Sequence, residues 1–438
     1  MIAKGWLATI GVRARVKSGR FCASAHCLLA GSLTRGFASR LDAPFLSQID
    51  RPILALTLAL ALTFASAAPV AASILQVQWR MAAAPDQRQF RPREPAEPLA
   101  SADGSMVWLT SGAGLVAVST RQGHEIWRQT TTEPMVGRAV LADLPAEGTA
   151  AAWGPTLYAA TLGGRLYALN PLTGAPRWPA PMQLEVAVHS GLAADKRYVY
   201  ASADPAMLLA IDRGSGKPVW RWSTLVDRDY VIEGQGSPAV VGNSVYFGTP
   251  TGRLVALSAR DGALLWEATL ELRDKSPYGD VDSTPVFITT TQGPAVVATS
   301  HSGGICAVAV EDGRLLWRYA AEGLGQPVVT PDGIVAVSAL GEIHLVDKLG
   351  RRKLARKLTD PVVGVAVALT GGLILVPSER GLDVVRLSDL RVLERLANEA
   401  GFGAAPVLVH GTVVALANNG MAFGLSFALE GGAAADLR

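Results

Sequence analysis

The sequence predicts an all-β chain closed into a ring, an eight-bladed β-propeller of four-stranded blades, and three observations predict it. The first is a register of alanine, a glycine six positions on and a tryptophan four after that, as at Ala256, Gly262 and Trp266 in ALSARDGALLW. The second is its recurrence at Ala117, Gly123 and Trp127, at Ala168, Gly174 and Trp178, at Ala210, Gly216 and Trp220, and at Ala307, Gly313 and Trp317. The third is a strand at the other end of the chain, ILQVQWRM at 74–81, which places Trp79 as the tryptophan strands RLLWRYA and KPVWRWS place theirs.

Each element has a local reason. The residues before each alanine (GRLVALS at 252–258, GRLYALN at 164–170) read as a strand with apolar residues at period two. Turn residues follow, as in Arg260-Asp261-Gly262, and glycine there takes positive φ without steric cost. A second strand then carries the tryptophan. Two further strands lie upstream, as in SPAVV-GN-SVYFGT at 237–249, with Gly-Asn as their turn. A lone hairpin cannot bury an indole, so units must stack, each indole lying on a small-residue seat of its neighbour. Burying one tryptophan contributes about 3 kcal/mol or more.

The register glycines continue more weakly at Gly350 (DKLGRRKL) and at Leu390 (LSDLRVLE), with Leu354 and Glu394 in the tryptophan place. Spacings of 37 to 51 residues between these positions suit one four-stranded blade. The segment 405–427 has three strands and no tryptophan strand after them, while the unit at 105–131 is already complete, so the count is eight. The strand at 74–81 is expected to complete the last blade and remove the open edge of a linear stack.

Ahead of the ring, residues 1–52 read as a basic extension, expected to be disordered or to lie before the true start of translation, with seven basic and no acidic residues in the first 41. Residues 53–72 (ILALTLALALTFASAAPVAA) read as a cleaved signal peptide or a retained membrane anchor, with Ala65-Ser66-Ala67 or Val70-Ala71-Ala72 as small-residue cleavage sites. The basic flank directs the propeller out of the cytoplasm. The division expected is a closing strand and Pro-rich linker over 73–94, the propeller over 95–430 and a tail over 431–438. Without residues 1–72 the chain has 32 Lys+Arg against 35 Asp+Glu, or net −3, so the basic balance belongs to the leader. With no basic run interleaved with aromatics in the body, nucleic acid is not an expected partner. Cys22 and Cys27 lie in the leader without a metal-ligand pattern, and Cys306 reads as a small packed residue.

The A-x5-G-x3-W register over about 95–430 resembles that of the quinoprotein-type (PQQ-repeat) β-propellers. That family holds quinone-dependent dehydrogenases and the non-enzymatic BamB-like propellers of outer-membrane assembly. In size, export signal and lack of insertions the chain looks like the second kind. The dehydrogenases carry a calcium or lanthanide beside the quinone, an aspartate base and often a vicinal cysteine pair or CxxCH, and the chain has neither cysteine motif. Asp280 and Asp282 in YGDVDSTP could ligate Ca²⁺ or could be the polar entry to an inner strand.

No catalytic residue, cofactor or metal is therefore expected, with PQQ and Ca²⁺ kept for the alternative of a quinone- or small-ligand-binding enzyme or sensor. The docking set is Trp79, Trp127, Trp178, Trp220, Trp266 and Trp317 with Gly123, Gly174, Gly216, Gly262 and Gly313. The channel-mouth candidates are Arg138, His189, Gln235, Asp282 and Gln326, each at the head of an inner strand. The function expected is a monomeric, exported scaffold, periplasmic or membrane-associated, that binds protein partners at its blade-edge loops and touches the membrane through its N-terminal segment where that is uncleaved.

Overall fold

The computed structural model describes residues 73–84, 97–135, 137–142, 153–204, 206–226, 236–272, 278–362 and 364–427. The basic extension, the signal or anchor segment, most of the Pro-rich linker and the tail lie outside them. The described residues form eight four-stranded antiparallel sheets and no helix. Blade 4 is typical, with Ala239–Val241, Ser244–Gly248, Arg253–Ser258 and Leu264–Thr269 in order from first to outermost strand. Blade 8 takes Val407–Val409, Thr412–Leu416 and Met421–Phe427, and its outermost strand is Leu75–Ala82 from the other end of the chain. That strand runs antiparallel to Met421–Phe427, with Leu75 opposite Phe427 and Ala82 opposite Met421. The eight-bladed ring closed by an N-terminal strand is thus observed as expected.

The period-two pattern expected of the third strands gives way to burial on both faces. Gly114–Ser119 is buried at every position but its last, and Tyr167 is buried along with its neighbours Leu166 and Ala168. A sheet with a neighbour against each face has no solvent side, so its middle strands read as continuous apolar runs. Only the outermost strands expose alternate residues, as in Leu264–Thr269.

Blades meet through indoles on glycine. Trp79 of blade 8 lies over Gly123 of blade 1, Trp127 over Gly174, Trp178 over Gly216, Trp220 over Gly262, Trp266 over Gly313, and Trp317 over Gly350. A Cβ at any of these glycines would sit 2.3–3.1 Å from an indole carbon. Their φ values lie between 70° and 76°, so the turn and the seat both call for glycine. Most of these indoles also donate Nε1–H to the carbonyl three residues before the glycine. Trp79 donates to Thr120, Trp127 to Pro171, Trp178 to Arg213, Trp220 to Ala259 and Trp266 to Val310, at 2.8–3.2 Å. In three blades a second ring on the second strand shares that acceptor: Trp108 Nε1 on Pro171 and the Tyr158 and Tyr200 hydroxyls on Arg213 and Ala259.

The register alanine has its own cause. In blades 1, 3 and 4 it stands between an aromatic ring on the second strand and the tryptophan on the fourth. Ala117 faces Trp108 and Trp127, Ala210 faces Tyr200 and Trp220, and Ala256 faces Tyr246 and Trp266. A bulge follows at once, so Ala256 pairs with Trp266 but Leu257 with Leu264, and Leu265 is pushed outward to 52% exposure.

Where the rings disappear, the seats change with them. In blade 6 the trio is Val335, Leu345 and Leu354, and in blade 7 it is Leu375, Val384 and Glu394. Leu354 packs in the same cluster as Leu390, which stands where other blades have glycine and keeps the turn's positive φ of 54°. The smaller knob leaves room for a larger seat, and the leucine pays for it in backbone strain. Glu394 has a different task. Its carboxylate accepts hydrogen bonds from the Ser73 hydroxyl and from the Ile74 and Leu75 amides (Leu75 at 3.4 Å), which holds the start of the closing strand.

These seams give two expected outcomes. Trp79→Ala should destabilise the chain by about 3–5 kcal/mol, comparably to Trp266→Ala, in chemical denaturation. Leu390→Gly should relieve the strained φ yet leave a void, and Leu354→Trp with Leu390→Gly should be more stable than the sum of the two single changes.

Candidate functional site

The heads of the inner strands, around the ring axis, are where the sequence places its polar candidates. Small residues stand there because adjacent blades touch backbone to backbone. A Cβ on Gly137 would lie 2.0 Å from the Ser190 carbonyl oxygen, one on Gly236 2.3 Å from Ser283, and one on Gly364 2.8 Å from the Gly403 carbonyl oxygen. Amides and carbonyls at this level join neighbouring blades, as where Leu192 N–H donates to Arg138 O at 3.2 Å.

Gln326 shows what a polar side chain does in such a place. Its Oε1 accepts from Thr284 N–H at 2.7 Å, and its Nε2 donates to Thr284 O at 2.8 Å. One amide thereby fits the two backbone groups of the next blade, as another strand would. The Thr284 hydroxyl continues the chain by accepting from Ser237 N–H at 3.1 Å. Three successive blades are stitched by one line of hydrogen bonds, and Gln326 presents its amide to the protein.

The other candidates are engaged nearby. Arg138 Nε stands 3.8 Å from Glu97 Oε2, ahead of the first strand of blade 1. Burial raises the Glu97 carboxyl above its ordinary value, and the Arg138 charge offsets part of that rise. His189 Nε2 lies 2.9 Å from Asp204 Oδ2, in the turn after the second strand of its own blade. Asp282 is half-buried, and its carboxyl is pushed up to about 6, first by burial and then by the negative charge of Asp280. Gln235 lies outside the described residues. The structure therefore joins Arg138 to Glu97, and Gln326 to Thr284 and Ser237, while His189 and Asp282 each answer to a group of their own segment.

Among the described residues no group of three or more His, Cys, Asp or Glu is placed to hold a metal ion. A calcium beside a quinone needs six to eight oxygen ligands. The pair Asp280 and Asp282, with one carboxyl raised toward its neutral form, does not supply that donor set, and no chemical step is derived through such a group. Cys306 is fully buried and its thiol is pushed up to about 11 by that burial, which makes it a packing residue.

Sequence reasoning missed Glu97 and Thr284, whose partners lie in another blade, and Asp204, which meets His189 only once its own blade has folded. It also missed the second ring on the shared carbonyl. The available signal was the repeated aromatic at Trp108, Tyr158, Tyr200 and Tyr246, one per blade at the same place in the second strand.

The raised Asp282 carboxyl gives a pH signature. Its folded-state pKa of about 6 exceeds the ordinary value of 3.8, so the folded chain binds the proton more tightly than the unfolded one. Ionisation therefore costs stability as pH rises from about 4 through 6. Asp282→Asn should raise the thermal midpoint at pH 7, with the gain vanishing near pH 4. Gln326→Ala should cost about 1–3 kcal/mol by stranding the two Thr284 backbone groups, as urea unfolding would show.

The ring and its axis have counterparts among known proteins. A family model described as outer membrane protein assembly factor BamB matches residues 139–354. The chain is 24% identical to the outer membrane protein assembly factor BamB of Yersinia pestis over 336 residues, covering 73% of this chain and 82% of that protein. It is 28% identical to the protein of that name from Vibrio cholerae over 143 residues, covering 31% of this chain and 35% of that one. Among solved structures, BamB from Moraxella catarrhalis superposes with a TM-score of 0.66 at 17% identity, covering 81% of this chain and all of that one. A europium-containing methanol dehydrogenase superposes at 0.61 and 13%, covering 78% of this chain and 83% of that one. At such identities the structural likeness speaks for the fold alone, and it spans both kinds of quinoprotein-type propeller. The register, the eight-bladed ring and the sequence relatives together show a β-propeller with PQQ-type repeats that is similar in sequence to BamB.

Proposed function

We propose that the chain is a non-catalytic, exported scaffold that takes part in outer-membrane protein assembly by holding protein partners at its blade edges. The observation that carries this reading is the fate of the polar groups at the axis. Gln326, Arg138 and His189 bond to backbone or to a facing carboxylate, so they serve the ring in place of a ligand. The sequence likeness to outer membrane protein assembly factors supports the same direction.

The blade edges offer what the axis does not. Leu172 is 67% exposed in the turn before Gly174, Leu340 is 74% exposed in a hairpin of blade 6, and Leu225 is 90% exposed after the outermost strand of blade 3. Exposed leucines on loops held by a rigid frame are suited to a protein partner. The basic and then apolar character of residues 1–72 supports an exported location, with these loops outside the cytoplasm and facing the periplasm or exterior, either free after cleavage or tethered through the apolar segment.

The test is genetic and biochemical. Deleting the gene should reduce the heat-modifiable, folded fraction of outer-membrane β-barrels several-fold. Wild-type protein should restore it, and a folded variant carrying Leu172→Glu, Leu225→Glu and Leu340→Glu should not. An unchanged barrel fraction in the deletion strain would defeat the reading. So would a purified protein that takes up PQQ with Ca²⁺ and then oxidises alcohols with an artificial dye.

A further inference from the structure

We infer that the outer edge of blade 6 is a contact surface for an anionic phospholipid bilayer. Residues 348–357 (KLGRRKLARK) hold six cations and no carboxylate, on a body whose net charge is −3 (32 Lys+Arg against 35 Asp+Glu over residues 73–438). The fold turns this run into a surface. Arg352–Lys357 is the outermost strand of its sheet, and Arg352, Lys353, Arg356 and Lys357 are all exposed on it. Asp347 binds Arg351 at 2.7 Å, but Lys348, Arg352 and Lys357 have no ion pair among the described residues. Leu349 stands 39% exposed in the turn among these cations, so the edge pairs positive charge with an apolar tip, the chemistry of a bilayer interface.

The second argument is where the chain enters the ring. The apolar segment 53–72 ends one residue before Ser73, and Ser73, Ile74 and Leu75 are held by Glu394 on the outermost strand of blade 7. Blade 6 adjoins that strand, since Arg356 Nε donates to Asp389 O in the turn leading into it, at 3.1 Å. The described chain thus enters the ring, at Ser73, against the blade next to this cationic edge. A nucleic acid would want aromatic faces among the cations, and 348–357 has none. The inference rests on the exported, membrane-associated part of the proposed function and leaves its protein partners untouched.

Lysine footprinting of the full chain, reconstituted in vesicles, tests it. With about a third phosphatidylglycerol in phosphatidylcholine, acetylation of Lys348, Lys353 and Lys357 should fall at least threefold relative to phosphatidylcholine alone. Half-molar NaCl should restore it, because exposed charges are screened at that ionic strength. Lys196 and Lys217 on blade 3, both exposed, should label equally in every case. A variant with Arg352→Glu and Arg356→Glu, with an unchanged thermal midpoint, should lose the lipid-dependent protection of Lys353. Equal labelling in the two lipids, protection that appears only on adding an acidic polypeptide, or protection that survives the charge reversal would each overturn the inference. None of these results bears on the barrel fraction of the deletion strain, so the two readings fail separately.

Discussion

An indole lying flat on a glycine is the contact on which the ring depends. The glycine must lack a side chain because the ring takes its place, and it must adopt positive φ because the turn requires it. Two separate demands, one from packing and one from the backbone, thus fall on one residue. The polar end of the indole is satisfied as well, by a carbonyl of the turn it covers. Large apolar area is buried and no donor is stranded, which is the condition under which tryptophan stabilises an interior. Trp317 shows the rule by departing from it: it covers Gly350, yet its Nε1–H has no acceptor among the described residues.

The seams also show that volume, more than residue identity, is held constant around the ring. Alanine sits between two rings in blades 1, 3 and 4, and leucine or valine replaces it where the rings are gone. The same exchange couples Leu354 to Leu390 across the seam of blades 6 and 7. Interiors are close-packed, so a knob cannot shrink without its seat growing or a void opening. At the junction with blade 8 no turn links the third strand to the outermost one, because Met421–Phe427 and Leu75–Ala82 come from opposite parts of the chain. Glu394 meets that junction with hydrogen bonds to the first amides of the closing strand.

The fold was largely legible in the sequence. The register is periodic and rests on residues with one strong physical reason each, and Trp79 at the far end of the chain fitted the pattern well enough to place the closing strand. Double-sided burial was not legible from the third strands, since Tyr167 beside Leu166 looks the same whether its face meets water or another blade. The bulge beside Trp79, Trp127, Trp220, Trp266 and Trp317 was invisible because it adds a residue without changing composition. At the axis, position was readable and partnership was not. Gln326 was found because it heads an inner strand, but its grip on Thr284 depends on how two blades abut. The cationic run at 348–357 was visible as letters, and only the strand order shows that it forms an outer edge.

Closing the ring with the first strand sets the order in which the protein can mature. Gln78 and Ser426, bonded across that sheet, stand 348 positions apart in the chain, so the earliest strand synthesised must wait for nearly the latest. Until then Met421–Phe427 lacks its outer neighbour and Trp79 has no finished sheet to sit on. Contacts of such long range are slow to form, and an unmatched edge invites other chains. Blades 2 to 7 can assemble in sequence as they emerge, whereas circularisation is one late event that must outpace self-association.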